Sequence, residues 1–316
     1  MIVLHDIDDL PRGLRFTLAI GTFDGVHRGH LRVIEALTSG AQSLGARSVV
    51  LTFDPHPSAV LRGSVPPALC DLRERLAWLA RLGVDACVVQ EFDHRFAEQS
   101  PRQFLQRAGS GRDLAGLVMT PESAFGRDRE GGLAQIRGLS PELGFRIIEV
   151  ARLESRGAEV SSTRVRSLLE AGRLADVARL LGRPYSVIGT VVRGDGRGRG
   201  LGYPTANLRF DCPVALPPNG IYAMRVGWGG DDPLDPTNRH DGVASLGVRP
   251  TFAEDGKRLL EVLLFDFDGE LYGESLRVEF VRRLRGEKRF PSVEALVQQM
   301  GRDAERARRV LAGSPQ

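Results

Sequence analysis

The feature that most constrains this chain is a change of pattern near residue 183. Before it, short apolar runs alternate with segments whose apolar residues recur every three or four positions, as in strands separated by helices. After it, runs of alternating apolar and polar residues follow one another between glycines and prolines. The first pattern predicts an α/β domain with a doubly wound parallel sheet, and the second an all-β barrel or sandwich. We expect domains at 1–183 and 184–316.

Ten strands follow from these patterns, and Ser292 opens a final helix that continues to about residue 312. The predicted strands of the first domain are 16–20, 46–53, 84–89, 114–119 and 145–150. Those of the second domain are 185–192, 220–226, 242–246, 259–267 and 275–281.

The stretch 21–30 reads Gly-Thr-Phe-Asp-Gly-Val-His-Arg-Gly-His and lies between a predicted strand and a predicted helix. Such strand-to-helix turns bind phosphates in α/β proteins. His27 and His30 are three residues apart, so we expect both rings on one helix face, while Gly29 leaves room for a ligand beside the backbone. The structural alternative is that one histidine caps the helix and the other is solvated.

No Gly-Lys-Ser/Thr follows this turn, which excludes a P-loop, and the dinucleotide glycine pattern is absent from it. We count Gly21, Phe23 and Asp24 in the candidate phosphate site. The stretch resembles the His-x-Gly-His signature of the nucleotidyltransferase superfamily, which transfers a nucleotide from ATP and releases pyrophosphate.

Two further groups of polar residues in the first half are candidates. Asp54 and His56 end the second predicted strand, where a turn role and a binding role are about equally expected. Residues 161–163, which are Ser161, Ser162 and Thr163, precede an apolar-periodic run and are first of all a helix cap. Arg166 lies within reach of a triphosphate in the first turns of that helix, and we favour a phosphate role for it.

A glycine-rich stretch opens the second domain, with five glycines between residues 194 and 202. Such a loop folds tightly over phosphates, here with Gly198 and Gly202 giving close approach and Arg197 and Arg199 giving charge. A disordered RNA-binding segment would instead show repeated units without flanking strands. This sequence has one copy between two strands.

Three oxygen-bearing side chains complete the candidates. Thr205 and Asn207 are two residues apart and point the same way on a strand, where they could hold Mg²⁺. Glu261 lies in an apolar strand. If it points inward, burial would raise its pKa and make it a general base; the alternative is an outward-facing edge residue.

Composition narrows the class of protein. Hydrophobic residues at 42% and charged residues at 26% are typical of a globular protein in solution. Lys and Arg exceed Asp and Glu by only 43 to 40, so we expect no nucleic-acid partner. We see no signal peptide or membrane-spanning run and expect a cytoplasmic protein without a membrane partner. The spacing of the three cysteines is not typical of a disulfide framework or a metal site. We therefore expect buried free thiols at Cys70, Cys87 and Cys212.

Together these motifs resemble the bifunctional bacterial riboflavin kinase/FMN adenylyltransferase (FAD synthetase) family over nearly the whole chain. The resemblance is carried by residues 21–30, 52–57, 161–166, 181–185, 197–207, 247–252, 261 and 271–273. It implies a nucleotidyltransferase module followed by a six-stranded flavokinase barrel. It also implies two Mg²⁺-dependent steps: riboflavin and ATP give FMN, then FMN and ATP give FAD and pyrophosphate.

The resemblance also implies roles for the candidates. In the kinase, Glu261 would deprotonate the ribityl hydroxyl while Thr205 and Asn207 hold Mg²⁺. In the transferase, His27, His30 and Arg166 would stabilise the charge that passes to pyrophosphate, without a protein nucleophile.

One segment departs from the family's usual Gly-x-Asp/Asn-Phe-x-Phe-Gly, because residues 120–126 read Thr-Pro-Glu-Ser-Ala-Phe-Gly. In the family this segment lies by the flavin and the nucleotide, and we assign Asp54, His56, Glu122 and Phe125 to flavin binding. Ser123 replaces an aromatic residue, which is expected to weaken FMN binding, alter its orientation or change the accepted substrate. Two alternatives are a monofunctional riboflavin kinase and a non-catalytic flavin- or nucleotide-binding regulator.

Overall fold

The computed structural model describes residues 1–194, 202–248 and 258–313. The chain divides into two compact units, each described here by itself. One comprises Met1–Pro66 and Arg75–Ser161, and the other Pro67–Glu74 and Ser162–Gln316. This division into compact units does not test the predicted domain boundary after residue 183, which stays a prediction.

The first unit is built on a parallel sheet with helices between its strands. Its strands are β1 (Ile2–Leu4), β2 (Arg15–Ile20), β3 (Arg47–Phe53), β4 (Ala86–Gln90), β5 (Asp113–Met119) and β6 (Arg146–Glu149). Its helices are α1 (Arg28–Ser43), α2 (Pro57–Arg62), α3 (Leu72–Arg81, which begins in the other unit), α4 (His94–Ala97), α5 (Pro101–Gly109) and α6 (Leu133–Leu143). The short strands β7 (Glu154–Ser155) and β8 (Ala158–Glu159) form a hairpin.

The strand order is β1-β4-β3-β2-β5-β6, and every pair is parallel. Buried apolar residues run through the central strands, as in a sheet covered on both faces. All five strands predicted for this half are present; β1 and the hairpin were not predicted. The order reverses between β2 and β5, so this sheet has its ligand-binding switch point between the carboxyl ends of those two strands.

The second unit contains a closed antiparallel barrel. It comprises α7 (Ser162–Glu170), α8 (Leu174–Leu181), β9 (Tyr185–Val192), β10 (Ala206–Arg209), β11 (Gly220–Trp228), β12 (Asn238–Val248), β13 (Arg258–Leu264), β14 (Ser275–Arg285) and α9 (Val293–Ala312). The barrel order is β10-β13-β12-β11-β14-β9. The predicted fold class is therefore confirmed in both units, with a six-stranded barrel rather than a sandwich.

Barrel closure fills the interior with alternate side chains, among them the fully buried Tyr222, Met224 and Leu276. On the outside, α9 contributes Ala307 and Leu311 to a separate apolar cluster. Helix α9 begins where the sequence predicts it, because Ser292 accepts a hydrogen bond from the backbone N–H of Ala295. Among the described residues, none of the helices combines the length and apolar character needed to cross a membrane.

Segment 67–74 comes from the first half of the sequence but belongs to the second unit. The backbone N–H of Ala68 donates to Pro213 O at 2.8 Å, and the N–H of Ala215 donates to Ala68 O at 2.8 Å. No strand pattern in the sequence marks this segment, because a single backbone bridge leaves no periodicity.

All three cysteines lie in the described part of the chain, and no disulfide joins them. Cys70 and Cys87 are buried as expected, whereas the expectation for Cys212 is wrong because that residue is exposed. Burial raises the pKa of the Cys87 thiol to about 12, so this thiol is protonated and unreactive at neutral pH.

Candidate functional sites

The turn between β2 and α1 brings the two predicted histidines together. His27 is the N-cap of α1, and its Nδ1 accepts a hydrogen bond from the backbone N–H of His30 at 3.3 Å. The two rings stack with centroids 3.6 Å apart and an interplanar angle of 15°. His27 is only 5% exposed. The helix cap and the paired rings therefore coexist, and the second histidine is part of the pair rather than a solvated side chain.

The space beside Gly29 is used by the protein itself. A Cβ on Gly29 would lie 3.1 Å from both the His27 ring and the carbonyl oxygen of Val160. The glycine thus allows the His27 ring and the Val160 backbone to pack against α1, rather than leaving open room for a ligand at that point.

A cavity of about 440 Å³ opens at the switch point of the parallel sheet. Gly21 and Thr22 line it from the end of β2, and Met119 and Ser123 line it from the end of β5 and the segment after it. Phe23 and Asp24 follow in the same turn and are buried, at 2% exposed each. The cavity has the size and mixed lining of a small-molecule site.

Phenylalanine rings form a continuous wall of this cavity. Its members are Phe53, Phe92, Phe96, Phe104 and Phe125. Neighbouring rings in this set have centroids 5.3–5.9 Å apart, the spacing of favourable aromatic pairs. Only Phe125 was predicted, because the others come from separate strands, helices and loops without a shared motif.

The candidates after β3 separate in the structure. His56 lines the cavity, and its Nδ1 accepts from the backbone N–H of Ser58 at 3.1 Å, so it also caps α2. Asp54 is exposed and is not among the residues that line the cavity. Of these two candidates, His56 therefore lines the cavity and Asp54 does not.

The segment that departs from the family is held by its own side chains. Ser123 Oγ accepts from the backbone N–H of Thr120 at 2.9 Å and lies 3.0 Å from Thr120 Oγ1. Glu122 lines the cavity, and its carboxylate forms an ion pair with Arg152. The hydroxyl at position 123 thus closes the turn, while the five-phenylalanine wall supplies the aromatic surface.

The candidates of segment 161–166 are divided in sequence between the two units. Ser161 ends the first unit, and α7 begins at Ser162 in the second. Thr163 is exposed. Arg166 belongs to the second unit, where its Nε donates to Pro67 O at 2.8 Å.

In the barrel, Glu261 and Asn207 form one row on neighbouring strands. Asn207 on β10 and Ser245 on β12 both lie opposite Glu261 on β13. Leu260 and Val262, on either side of Glu261, are fully buried in the barrel. Because neighbouring strand residues point to opposite faces, Glu261 faces outward. The inward orientation considered from the sequence is therefore wrong.

Asn207 is only 7% exposed although it faces outward. A Cβ on Gly194 would overlap its amide nitrogen, so the glycine backbone covers this side chain directly. Thr205 precedes it by two residues and is half-buried. Gly202 has a φ of +78°, a conformation that favours glycine. The candidates Arg197, Gly198 and Arg199 lie outside the described residues.

The oxygen atoms of the predicted metal ligands suit a hard cation. The hydroxyl oxygen of Thr205 and the amide oxygen of Asn207, the predicted ligands, are oxygen atoms of the kind that Mg²⁺ binds alongside substrate phosphates. The backbone of Gly194 packs directly against the Asn207 side chain and so restricts the position of this ligand. Within the described residues, no group of three or more His, Cys, Asp or Glu side chains could hold a metal ion. The oxygen atoms of the predicted ligands are thus of the type that suits Mg²⁺.

Known proteins similar to this chain match both halves. A family model for FAD synthetase matches residues 13–164, and one for riboflavin kinase matches residues 181–311. The bifunctional riboflavin kinase/FMN adenylyltransferase of Pseudomonas fluorescens is 36% identical, over 98% of this chain and 97% of its own length. The Escherichia coli K12 protein of the same name is 35% identical, with coverages of 96% and 95%.

Similarity extends to a solved structure. A crystal structure described as a macrolide-efflux protein from Streptococcus pneumoniae has a TM-score of 0.84 and 28% identity, covering 97% of this chain and 98% of that one. The two matched family models and the relatives that align over nearly their whole length agree. The chain therefore belongs to the bifunctional riboflavin kinase/FMN adenylyltransferase family.

Proposed function

We propose that this chain makes flavin cofactors in two steps. Its barrel transfers the γ-phosphoryl group of ATP to riboflavin, giving FMN and ADP. Its parallel-sheet unit then joins FMN to the AMP part of a second ATP, giving FAD and pyrophosphate. The monofunctional kinase and the non-catalytic regulator become outcomes of the test below. We further propose that it works in the cytoplasm, without nucleic-acid or membrane partners.

The observation that carries the transferase proposal is the stacked His27–His30 pair, which follows a turn whose first residues, Gly21 and Thr22, line the phenylalanine-lined cavity. A flat isoalloxazine ring matches an aromatic wall, and the cavity volume suits a ligand of this size. The FMN phosphate would attack the α-phosphate of ATP while the two imidazoles and the N-terminus of α1 stabilise the departing pyrophosphate. We assign Gly21, Ser161 and Arg166 to the same phosphates.

For the kinase, support comes from the row of Asn207, Ser245 and Glu261 on the outside of the barrel. Glu261 would accept the proton of the ribityl 5′-hydroxyl, whose oxygen attacks the γ-phosphate in line. Thr205 and Asn207 would hold Mg²⁺, which supplies positive charge to the nucleotide phosphates when bound. We assign Gly198 to Gly202 to covering the ATP, and Arg197 and Arg199 to supplying positive charge to its phosphates.

The direct test is an incubation of the purified protein with riboflavin, excess ATP and Mg²⁺, with the flavins separated over time. We expect FMN first and FAD later. FMN that accumulates alone would overturn the transferase half and leave a monofunctional kinase. Binding of riboflavin or ATP without any product would overturn both halves and leave a regulator.

Two single substitutions assign each reaction to its unit. His30→Ala should abolish FAD formation and spare FMN formation, whereas the exposed His94→Ala should affect neither. Glu261→Gln should slow FMN formation by about 10²–10⁴-fold and leave conversion of supplied FMN to FAD intact. Glu305→Gln, on an exposed position of α9, is its control. With riboflavin and FMN supplied in separate assays, loss of both activities in either variant would contradict the separation of the two sites.

A further inference from the structure

We propose that Thr52 and Arg75 are positioning residues that hold turn 21–26, and through it the His27–His30 pair, in the geometry that adenylyl transfer needs. This inference rests on the proposed function of that pair. Both residues act through their neighbours rather than by contact with the substrate.

The turn needs external support because its backbone is strained. Phe23 has a φ of +47° and Val26 a φ of +37°. For a β-branched residue such as Val26, this left-handed conformation is a genuine outlier. Strained backbone of this kind persists only where the surrounding structure holds it, and it is concentrated at functional sites.

A buried side chain from the neighbouring strand supplies that support. Thr52 Oγ1 donates to the carbonyl oxygen of Thr22 at 3.2 Å. Thr52 lies on β3 and has no exposed surface, so water cannot replace its hydroxyl. A bond between a buried hydroxyl and a turn carbonyl fixes the turn relative to the sheet.

Arg75 in turn fixes the hydroxyl. Its Nη1 donates to Thr52 Oγ1 at 3.1 Å, and also reaches the carbonyl oxygen of Phe53 at 3.5 Å. Arg75 is only 9% exposed. Burying a guanidinium is costly unless it is hydrogen-bonded. Among the described residues both of its bonds come from Nη1, whereas its Nε is buried without a partner. Because Arg75 Nη1 donates to Thr52 Oγ1, the hydroxyl of Thr52 accepts that bond and donates its own hydrogen to the carbonyl oxygen of Thr22.

The route from this support to the reacting groups is short. Thr22 is followed by Phe23, whose ring centroid lies 5.1 Å from that of His30. His30 stacks on His27 at 3.6 Å. A shift of the Thr22 carbonyl therefore moves Phe23 and the ring pair together. Misplacement of catalytic groups by about 1 Å can reduce a rate about 100-fold.

The test compares Thr52→Val with Thr17→Val. Both threonines are fully buried on adjacent strands, but the Thr17 hydroxyl points to Leu37 O and Arg47 O, each at 3.4 Å, away from the turn. Thr52→Ser restores the hydroxyl, and Arg75→Gln removes the guanidinium. FAD formation is measured for kcat and KM, with FMN formation in the same preparation as the internal control.

For Thr52→Val and Arg75→Gln we expect kcat for FAD formation to fall by about 10-fold or more, with KM for FMN changed less than about threefold. Thr17→Val and Thr52→Ser should stay near wild type. Equal kcat values for Thr52→Val and Thr17→Val, or no recovery with serine, would overturn the proposal.

Histidine ring NMR gives a readout that does not depend on activity. The chain has six histidines, and Thr52→Val should move the signals of His27 and His30 while the other four stay in place. Unmoved signals would overturn the positioning role. A wild-type protein that makes no FAD would instead overturn the proposed function, and the NMR comparison separates these two failures.

Discussion

The side chains of Glu74 and Ser186 are hydrogen-bonded although 112 residues separate them in sequence, with Ser186 Oγ donating to Glu74 Oε1 at 2.8 Å. Glu74 is 1% exposed and lies 3.6 Å from Arg277 Nε. Burial raises the pKa of the Glu74 carboxyl, while Arg277 and Arg183 oppose that effect. Segment 67–74 is thus joined to the barrel unit by a buried polar cluster.

Removal of the Glu74 carboxylate should therefore destabilise the second unit. Glu74→Ala removes the carboxylate that Ser186 and Arg277 contact, although Arg277 keeps its ion pair with Glu279 and its hydrogen bond to Ser186. Breaking a buried pair costs up to about 3–5 kcal/mol, and these remaining contacts should reduce that cost. Glu74→Gln keeps a hydrogen-bond acceptor and should cost less. The exposed Glu170→Ala on α7 is the control.

Each unit contains one tryptophan, so the stability of the second unit can be measured by itself. In a Trp78→Phe background, the fluorescence of Trp228 reports urea unfolding of the barrel unit. Equal unfolding midpoints for Glu74→Ala and Glu170→Ala would contradict the structural role of the cluster.

The phenylalanine wall should control flavin affinity more than stability. Phe96→Leu keeps an apolar side chain but removes an aromatic face from the cavity. We expect KM for FMN in FAD formation to rise by about 5–10-fold, as for one lost aromatic contact of about 1 kcal/mol. Phe145→Leu, in the same apolar core but not among the cavity-lining residues, should leave that KM near wild type. A larger change with Phe145→Leu would show that the effect is one of folding.

Gly194 should be needed for the kinase because its backbone lies against Asn207. Gly194→Ala would place a methyl group where the Asn207 amide lies, so this amide must move and FMN formation should fall by about 10–100-fold. Gly286→Ala is the matched control in the same unit, since only the end of the Arg283 side chain lies within 4 Å of the added carbon. Unchanged FMN formation in Gly194→Ala would contradict the assignment of Asn207.

Asp85 should contribute to the pH dependence of the first unit. Burial alone would raise its pKa, but the Ser48 backbone N–H and hydroxyl, both at 2.8 Å, and the Arg47 guanidinium outweigh it and lower the pKa below 3.8. The folded state thus binds this proton less readily than the unfolded state. The ionised Asp85 carboxylate therefore stabilises the folded state. This stabilisation is complete above the pKa that Asp85 has in the unfolded state, and it is lost as the pH falls through the lower pKa of the folded state.

The corresponding measurement is urea unfolding of the first unit through Trp78, in a Trp228→Phe background. Asp85→Asn should be less stable than the parent at neutral pH, and the difference should shrink as the pH falls below about 4. A difference that does not change with pH would contradict the role of the carboxylate.

Sequence periodicity alone determined the two kinds of fold, since strand and helix spacings reflect local backbone geometry. Short motifs also singled out His27 and His30, which are three residues apart on a helix, and Asn207 beside the glycine-rich stretch, because each motif lies within one short segment. That Asn207 lies opposite Glu261 on a neighbouring strand is a finding of the structure. The capping role of Ser292 was equally local.

Only the tertiary structure decided the rest. The outward direction of Glu261 depends on which face of β13 the barrel encloses. The phenylalanine wall collects rings from residues 53 to 125, and the Arg75–Thr52–Thr22 hydrogen bonds join a helix, a strand and a turn. Segment 67–74 and Ser186 meet across more than a hundred residues. Such contacts are set by chain topology and by the burial of whole surfaces, which leave no periodic signal in the sequence.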